Sequence, residues 1–126
     1  MKRDTLKRKE EQNLTGKSFD EVLLEAVDEA FASLGDSAKQ SIYYHLEEKF
    51  KIPREEIPKR IEDFVEGLEK IFGIGARFLE ILIMKRLYDR IGKPLEWDES
   101  KEFVFVNYVE AAKRSFGKGV RVKHER

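Results

Sequence analysis

Residues 75–91, GARFLEILIMKRLYDRI, carry apolar or aromatic side chains at Ala76, Phe78, Leu79, Ile81, Leu82, Ile83, Met84, Leu87, Tyr88 and Ile91. Over about four helical turns this sets apolar groups nearly all round the axis, whereas an amphipathic surface helix confines them to one stripe. The helical period groups Phe78, Leu79 and Leu82 on one side and Ile83, Met84, Leu87 and Ile91 on the other, with polar residues interleaved singly. A helix of this kind is covered on more than one side. In a chain of 126 residues, the expectation is that one side packs on its own domain and the other on a partner. The partner side is expected to comprise Ile83, Met84, Leu87 and Ile91, with Glu80 among them, at the two-fold interface of a homodimer.

The rest of the chain reads as helices arranged about that segment, one all-α domain of about five helices spanning 18–117. Ser18-Phe19-Asp20-Glu21 fits a capping box: the Ser oxygen takes one orphan N–H and the Glu carboxylate another. Val22, Leu23, Ala26, Val27, Ala30, Phe31 and Leu34 follow at steps of three and four, and Gly35 stops the helix. Ser37-Ala38-Lys39-Gln40 fits a second capping box, opening a helix to about residue 51 with Ile42, Tyr43, Leu46 and Phe50 inward. Pro53 and Pro58 suit a short helical turn followed by a helix over 58–72, striped by Ile61, Phe64, Val65, Leu68, Ile71 and Phe72. The central helix ends at Gly92 with Pro94 just beyond. Within 98–116, Phe103-Val104-Phe105-Val106 has strand-like residues, yet Phe103, Val106, Val109, Ala112 and Phe116 also keep helical spacing. With Asp98 or Ser100 as cap and Gly117 as stop, helix is the expectation there. Trp97 is expected to pack the connector onto the body, a partner anchor being the alternative.

Several classes are excluded or weakened by composition. The chain has no cysteine, so neither a disulfide framework nor a thiolate zinc site can form. No apolar run reaches the roughly 18 residues of a membrane span, because Lys85 and Arg86 interrupt the best candidate. The first 17 residues lack the apolar core of a secretory signal, which points to the cytoplasm. Charged residues make up 40% of the chain and Asn and Gln only two each, a balance that suits ion-pair networks at high temperature. Net charge is zero, but residues 1–17 hold six Lys/Arg against three acids, and 113–126 hold six against one. The chain therefore reads as an acidic body with a basic N-terminal arm (1–17) and a basic tail (118–126). Basic ends serve solubility or bind anionic partners such as nucleic acid.

Between residues 34 and 92 the sequence LGDSAKQSIYYHLEEKF, then IP, then EDFVEGLEKIFGIGARFLEILIMKRL resembles the small archaeal helical output-domain family first named from Nitrosopumilus signalling proteins. The matching features are Gly-x-Ser before Ile42-Tyr43, then His45-Leu46, and Phe72-Gly73-x-Gly75-Ala76 followed by Leu79-Glu80. The resemblance implies a regulatory or output module and carries no activity with it.

Candidate sites each have a structural alternative. Gly73-Ile74-Gly75 resembles the turn of a helix-hairpin-helix, whose exposed N–H groups meet a phosphate while Lys70 and Arg77 would supply charge. Leu79 stands where that pattern has a small residue. The alternative is structural, with Gly73 a left-handed cap and Gly75 permitting close helix approach. His45 and Glu48 have metal-compatible spacing, but a metal needs three or four protein ligands and the other histidine, His124, lies in the tail. Ser41 lacks a nucleophile context beside His45. Glu80, on a mostly apolar surface, must find a basic partner, Arg77 or a residue from another chain, or titrate high. Tyr43, Tyr44, Phe78 and Tyr88 line either a ligand pocket or plain core. No catalytic residue, metal site or cofactor is expected. The leading expectation is a noncatalytic regulatory or protein-interaction module acting as a homodimer. A nucleic-acid-binding protein using its basic ends and the glycine turn is the alternative, and it needs those ends beside Gly73 and Arg77.

Overall fold

The computed structural model describes residues 16–95 and 103–125, with 117–125 as backbone alone. Five α-helices form an all-α bundle, and the described residues contain no strand. They are α1 (Phe19–Ala32), α2 (Asp36–Phe50), α3 (Ile61–Phe72), α4 (Ala76–Ile91) and α5 (Phe105–Glu125), with 3₁₀ turns at Arg54–Lys59 and Gly73–Gly75. None is long and apolar enough to cross a membrane.

Helix α1 begins where its capping box forms. The Glu21 N–H donates to Ser18 Oγ at 3.2 Å and the Ser18 N–H to Glu21 Oε1 at 3.0 Å. It buries Val22, Leu23, Ala26, Val27, Ala30 and Phe31, one face of a 3.6-residue period. The helix ends at Ala32, so Leu34, expected on that stripe, falls beyond it and is exposed. The second expected capping box does not form. Gly35, at φ 109°, turns the chain so that α2 already starts at Asp36, with Gly35 as cap and no side-chain hydrogen bond. Ser37 is then inside the first turn, where its hydroxyl has no orphan N–H ahead of it to accept.

Helix α3 starts at Ile61 rather than at Pro58, because Pro58 belongs to the preceding 3₁₀ turn. Arg60 secures this junction: Nη1 donates to the Lys51 carbonyl (2.6 Å) and to Glu56 (3.1 Å), and Nε to Asp63 (3.2 Å). The close helix approach expected at Gly75 occurs at Gly67 instead. A Cβ on Gly67 would lie 2.9 Å from Leu46 Cδ2, whereas one on Gly75 would meet only Phe72 Cβ at 3.9 Å. Gly67 thus lets α3 settle directly on α2.

At Gly73 the chain takes φ 62° with ψ −136°, a positive φ that suits glycine but is not the left-handed helical cap expected. Helix α4 closes as expected: Gly92 is left-handed, its N–H donates to the Asp89 carbonyl, and the Lys93 N–H donates to the Tyr88 carbonyl. This pair of bonds is the Schellman ending. Helix α5 buries Phe105, Val109, Ala112 and Phe116, and Tyr88 Oη pins it to α4 by donating to the Tyr108 carbonyl at 2.9 Å. Gly117 does not stop α5, which continues to Glu125; one glycine costs a helix only about 1 kcal/mol relative to alanine. Trp97 and the proposed caps Asp98 and Ser100 lie outside the described residues, as does the N-terminal arm before Gly16.

Candidate interaction face on α4

Helix α4 is apolar on two sides, but the two sides are the reverse of those expected. Ala76, Leu79, Ile83, Met84, Leu87 and Tyr88 form a single buried stripe, and Ile83, Met84 and Leu87 are fully enclosed by their own chain. They are therefore core, and a partner could reach them only if the bundle opened. Ile91, at the end of that stripe, is half-buried. The physical reason is packing on α1, α3 and α5, all of which contact α4. Leu79 belongs with Ile83 because residues four apart share a face.

The outward side is formed by Phe78, Ile81 and Leu82, with Ile74 at the corner before the helix. Ile74 is 96% exposed and Phe78 71%, while Ile81 and Leu82 are half-buried against the core. Phe78 follows Ile74 by four residues, and Ile81 and Leu82 follow Phe78 by three and four, so they form one strip. Phe78, read above as a pocket or core aromatic, is neither. Tyr44 is also exposed, on α2, whereas Tyr43 packs edge-on against Phe31 and Tyr88 is buried.

Cations border the strip. Arg77 and Lys85 are exposed and Arg86 is half-buried. A cleft of about 460 Å³ beside Leu82 brings Lys85, Arg86 and Lys93 together over Leu95, with Asp89 the one acid among them. None of Arg77, Lys85, Arg86 and Lys93 forms an ion pair with a described residue, and Arg86 Nε is sealed from water with no hydrogen-bond acceptor. Other cations are engaged: Lys17 with Glu25, Arg54 with Asp28, and Arg90 with Glu25 and Glu29.

Glu80, expected at the partner interface, faces inward and is 5% exposed. It makes no ion pair, and its Oε2 has no hydrogen-bond partner. Burial, reinforced by the charge of Glu69 and opposed by Arg77, pushes its carboxyl up to about 7.

Lys70, Gly73, Gly75 and Arg77, the candidate phosphate site, are all exposed around the corner. The first turn of α4 has no side-chain cap and no acidic residue. The basic ends that the nucleic-acid alternative requires beside this corner cannot be traced: residues 1–15 and the side chains of 117–126 lie outside those described. His45 stands beside Tyr44, with its Nδ1 buried and without a hydrogen-bond partner. Among the described residues, no group of three or more His, Asp or Glu side chains could hold a metal ion. Comparison of the chain with protein-family models, curated proteins and solved structures finds no match.

The helical period puts Phe78 with Leu82 but joins Leu79 to them, and Ile74 stands in the sequence only as the middle of a glycine turn, so the strip does not stand out as one face. The informative signal was the charge around them. A core-facing stripe is bordered by small or apolar residues, whereas Phe78 and Leu82 are flanked by Arg77, Lys85 and Arg86.

Proposed function

We propose that this chain is a noncatalytic regulatory module that works by docking another polypeptide onto the outward face of α4. One observation carries the reading: Ile74 and Phe78, two large apolar side chains on consecutive turns, stand in water at 96% and 71% exposure. Single exposed apolar residues are ordinary, but a contiguous strip rimmed by polar groups is the mark of an interaction surface. The output-domain resemblance over 34–92 adds support for a regulatory role. A homodimer built on this face is one form of the proposal, replacing the interface first expected at Ile83, Met84 and Leu87.

Site-specific photocrosslinking tests it. A benzoylphenylalanine placed at residue 78 should give a discrete polypeptide adduct in extract from the native host, and the same group at residue 44 should not. Self-adducts would make the module a homodimer, and adducts with a different polypeptide would make the complex heterologous. Indistinguishable patterns from the two positions would remove the face from consideration.

A further inference from the structure

We infer that the partner which docks on the outward face of α4 is an acidic amphipathic helix, one with an apolar stripe flanked by Asp or Glu. This rests on the proposed function and names the chemistry of its occupant. The face combines two demands. Its strip of Ile74, Phe78, Ile81 and Leu82 needs apolar cover, and its rim holds four cations that no described residue pairs.

The charge pattern decides between occupants. Whole-chain charge is balanced, with 25 Lys/Arg and 25 Asp/Glu, so cations gathered on one face without a described partner are a local property. Carboxylates of α1 are already engaged, Glu25 and Glu29 by Arg90 and Asp28 by Arg54. Two copies meeting α4 to α4 would set Arg77, Lys85, Arg86 and Lys93 largely against the same cations, with Asp89 the one acid of the cleft to answer them, and like charges in excess across an interface oppose association. A basic partner meets the same objection. Phosphate polymers would answer the cations but leave the apolar strip in water. An acidic amphipathic helix answers both, because its stripe recurs at the three- and four-residue steps of Phe78, Ile81 and Leu82. The Lys85–Arg86–Lys93 cleft, about 460 Å³ with Leu82 and Leu95 in its wall, gives that helix a lodging for one side chain and its neighbouring carboxylate.

The test is fluorescence anisotropy of the full chain with three labelled synthetic peptides of equal length. One has leucines at helical spacing flanked by glutamates, the second has the same leucines flanked by lysines, and the third has glutamates with serines replacing the leucines. The acidic amphipathic peptide should bind at least ~10-fold more tightly than either of the others, with an affinity that falls as salt rises. Lys85→Glu/Lys93→Glu should erase its advantage over the lysine peptide, and Phe78→Ser should weaken both leucine peptides. Tyr44→Ser, on α2, should change neither, and circular dichroism should show all variants folded.

Equal binding of the acidic and basic leucine peptides, both lost in Phe78→Ser, would overturn the acidic partner and leave the interaction face standing. Binding indifferent to Phe78→Ser, or no binding of any peptide, would overturn both. Tighter binding of duplex RNA or of phosphatidylserine vesicles, lost in Lys85→Glu/Lys93→Glu, would assign the face to phosphate and overturn the acidic helix.

Discussion

Helix α1 and the outward face of α4 are both rich in charge and in apolar side chains, yet they use them oppositely. On α1 nearly every charged group has an answer within the chain. Glu21 closes the capping box, Glu25 meets Lys17 and Arg90, Asp28 meets Arg54 and Tyr43, and Glu29 meets Arg90. Its large apolar groups from Val22 to Phe31 are buried. On the outward side of α4 no described residue pairs Arg77, Lys85, Arg86 or Lys93, and Phe78 is 71% exposed. A surface completed from within contributes stability; a surface left incomplete is available for something else. That difference separates structural from functional residues more sharply than hydrophobicity does.

The contrast can be broken by substitution, and the largest effect belongs to α1. Phe31 is fully buried, with its ring centroid 5.2 Å from that of Tyr43 and 6.4 Å from that of Phe64. Phe31→Ala should cost about 3–5 kcal/mol in urea unfolding, through lost burial and an unfilled cavity. Next comes Asp28, which accepts from Tyr43 Oη at 2.5 Å and from Arg54 Nη2 at 2.6 Å. Asp28→Ala should destabilise by about 2 kcal/mol at neutral pH, because it leaves a half-buried phenol and a guanidinium without their acceptor. Burial alone would raise the Asp28 carboxyl, but the bonds from Arg54 and Tyr43 and the charges of Arg54 and Lys39 outweigh it and hold it low. Its stabilisation is therefore present above the ordinary carboxylate range and lost as pH falls below it.

Glu80 gives the opposite sign. Its carboxyl is pushed up to about 7, so between the ordinary carboxylate range and pH 7 the folded chain holds a proton that the unfolded chain releases. Its contribution to stability should thus fall by about 3 kcal/mol as pH rises through that window and level off above it. Glu80→Gln should flatten this part of the stability profile, measured by denaturant titration from pH 4 to 9; an unchanged profile would show that Glu80 ionises freely when folded. The smallest effect sharpens the contrast. Phe78→Ser should leave the melting curve within about 0.5 kcal/mol of the parent. A loss comparable to that of Phe31→Ala would mean that Phe78 is core, and the interaction face would have to be abandoned.

Much of the bundle was legible because its signals are local. The Ser18–Glu21 box, the stop at Gly35 and the Gly92 ending depend on a few adjacent residues, and each formed. Signals that depend on neighbours in space were read less well. Ser37 has a capping pattern, but Gly35 starts α2 two residues too early for it to act. Gly67 carried no mark as the close-contact glycine because only the distance to Leu46 reveals it. The two-sided character of α4 was visible in its sequence, but which side faced inward was not. That choice is made by α1, α3 and α5, whose positions no window of α4 contains. The cations bordering Phe78 and Leu82 were the one available clue.

The dependence of α1 on α4 has a consequence for how the chain is made. Helix α1 packs most extensively on α4, an element that begins about sixty residues further along. Ribosomes add roughly 5–20 residues per second, so several seconds separate the emergence of Phe31 from that of Leu87. During that interval α1 has α2, the Arg54–Lys59 turn and Phe64 of α3 to pack against, and the part of its apolar stripe that α4 will cover waits exposed. Completion of the bundle is thus timed by translation of its fourth helix, and pausing before α4 would prolong exposure of the most apolar face the young chain possesses.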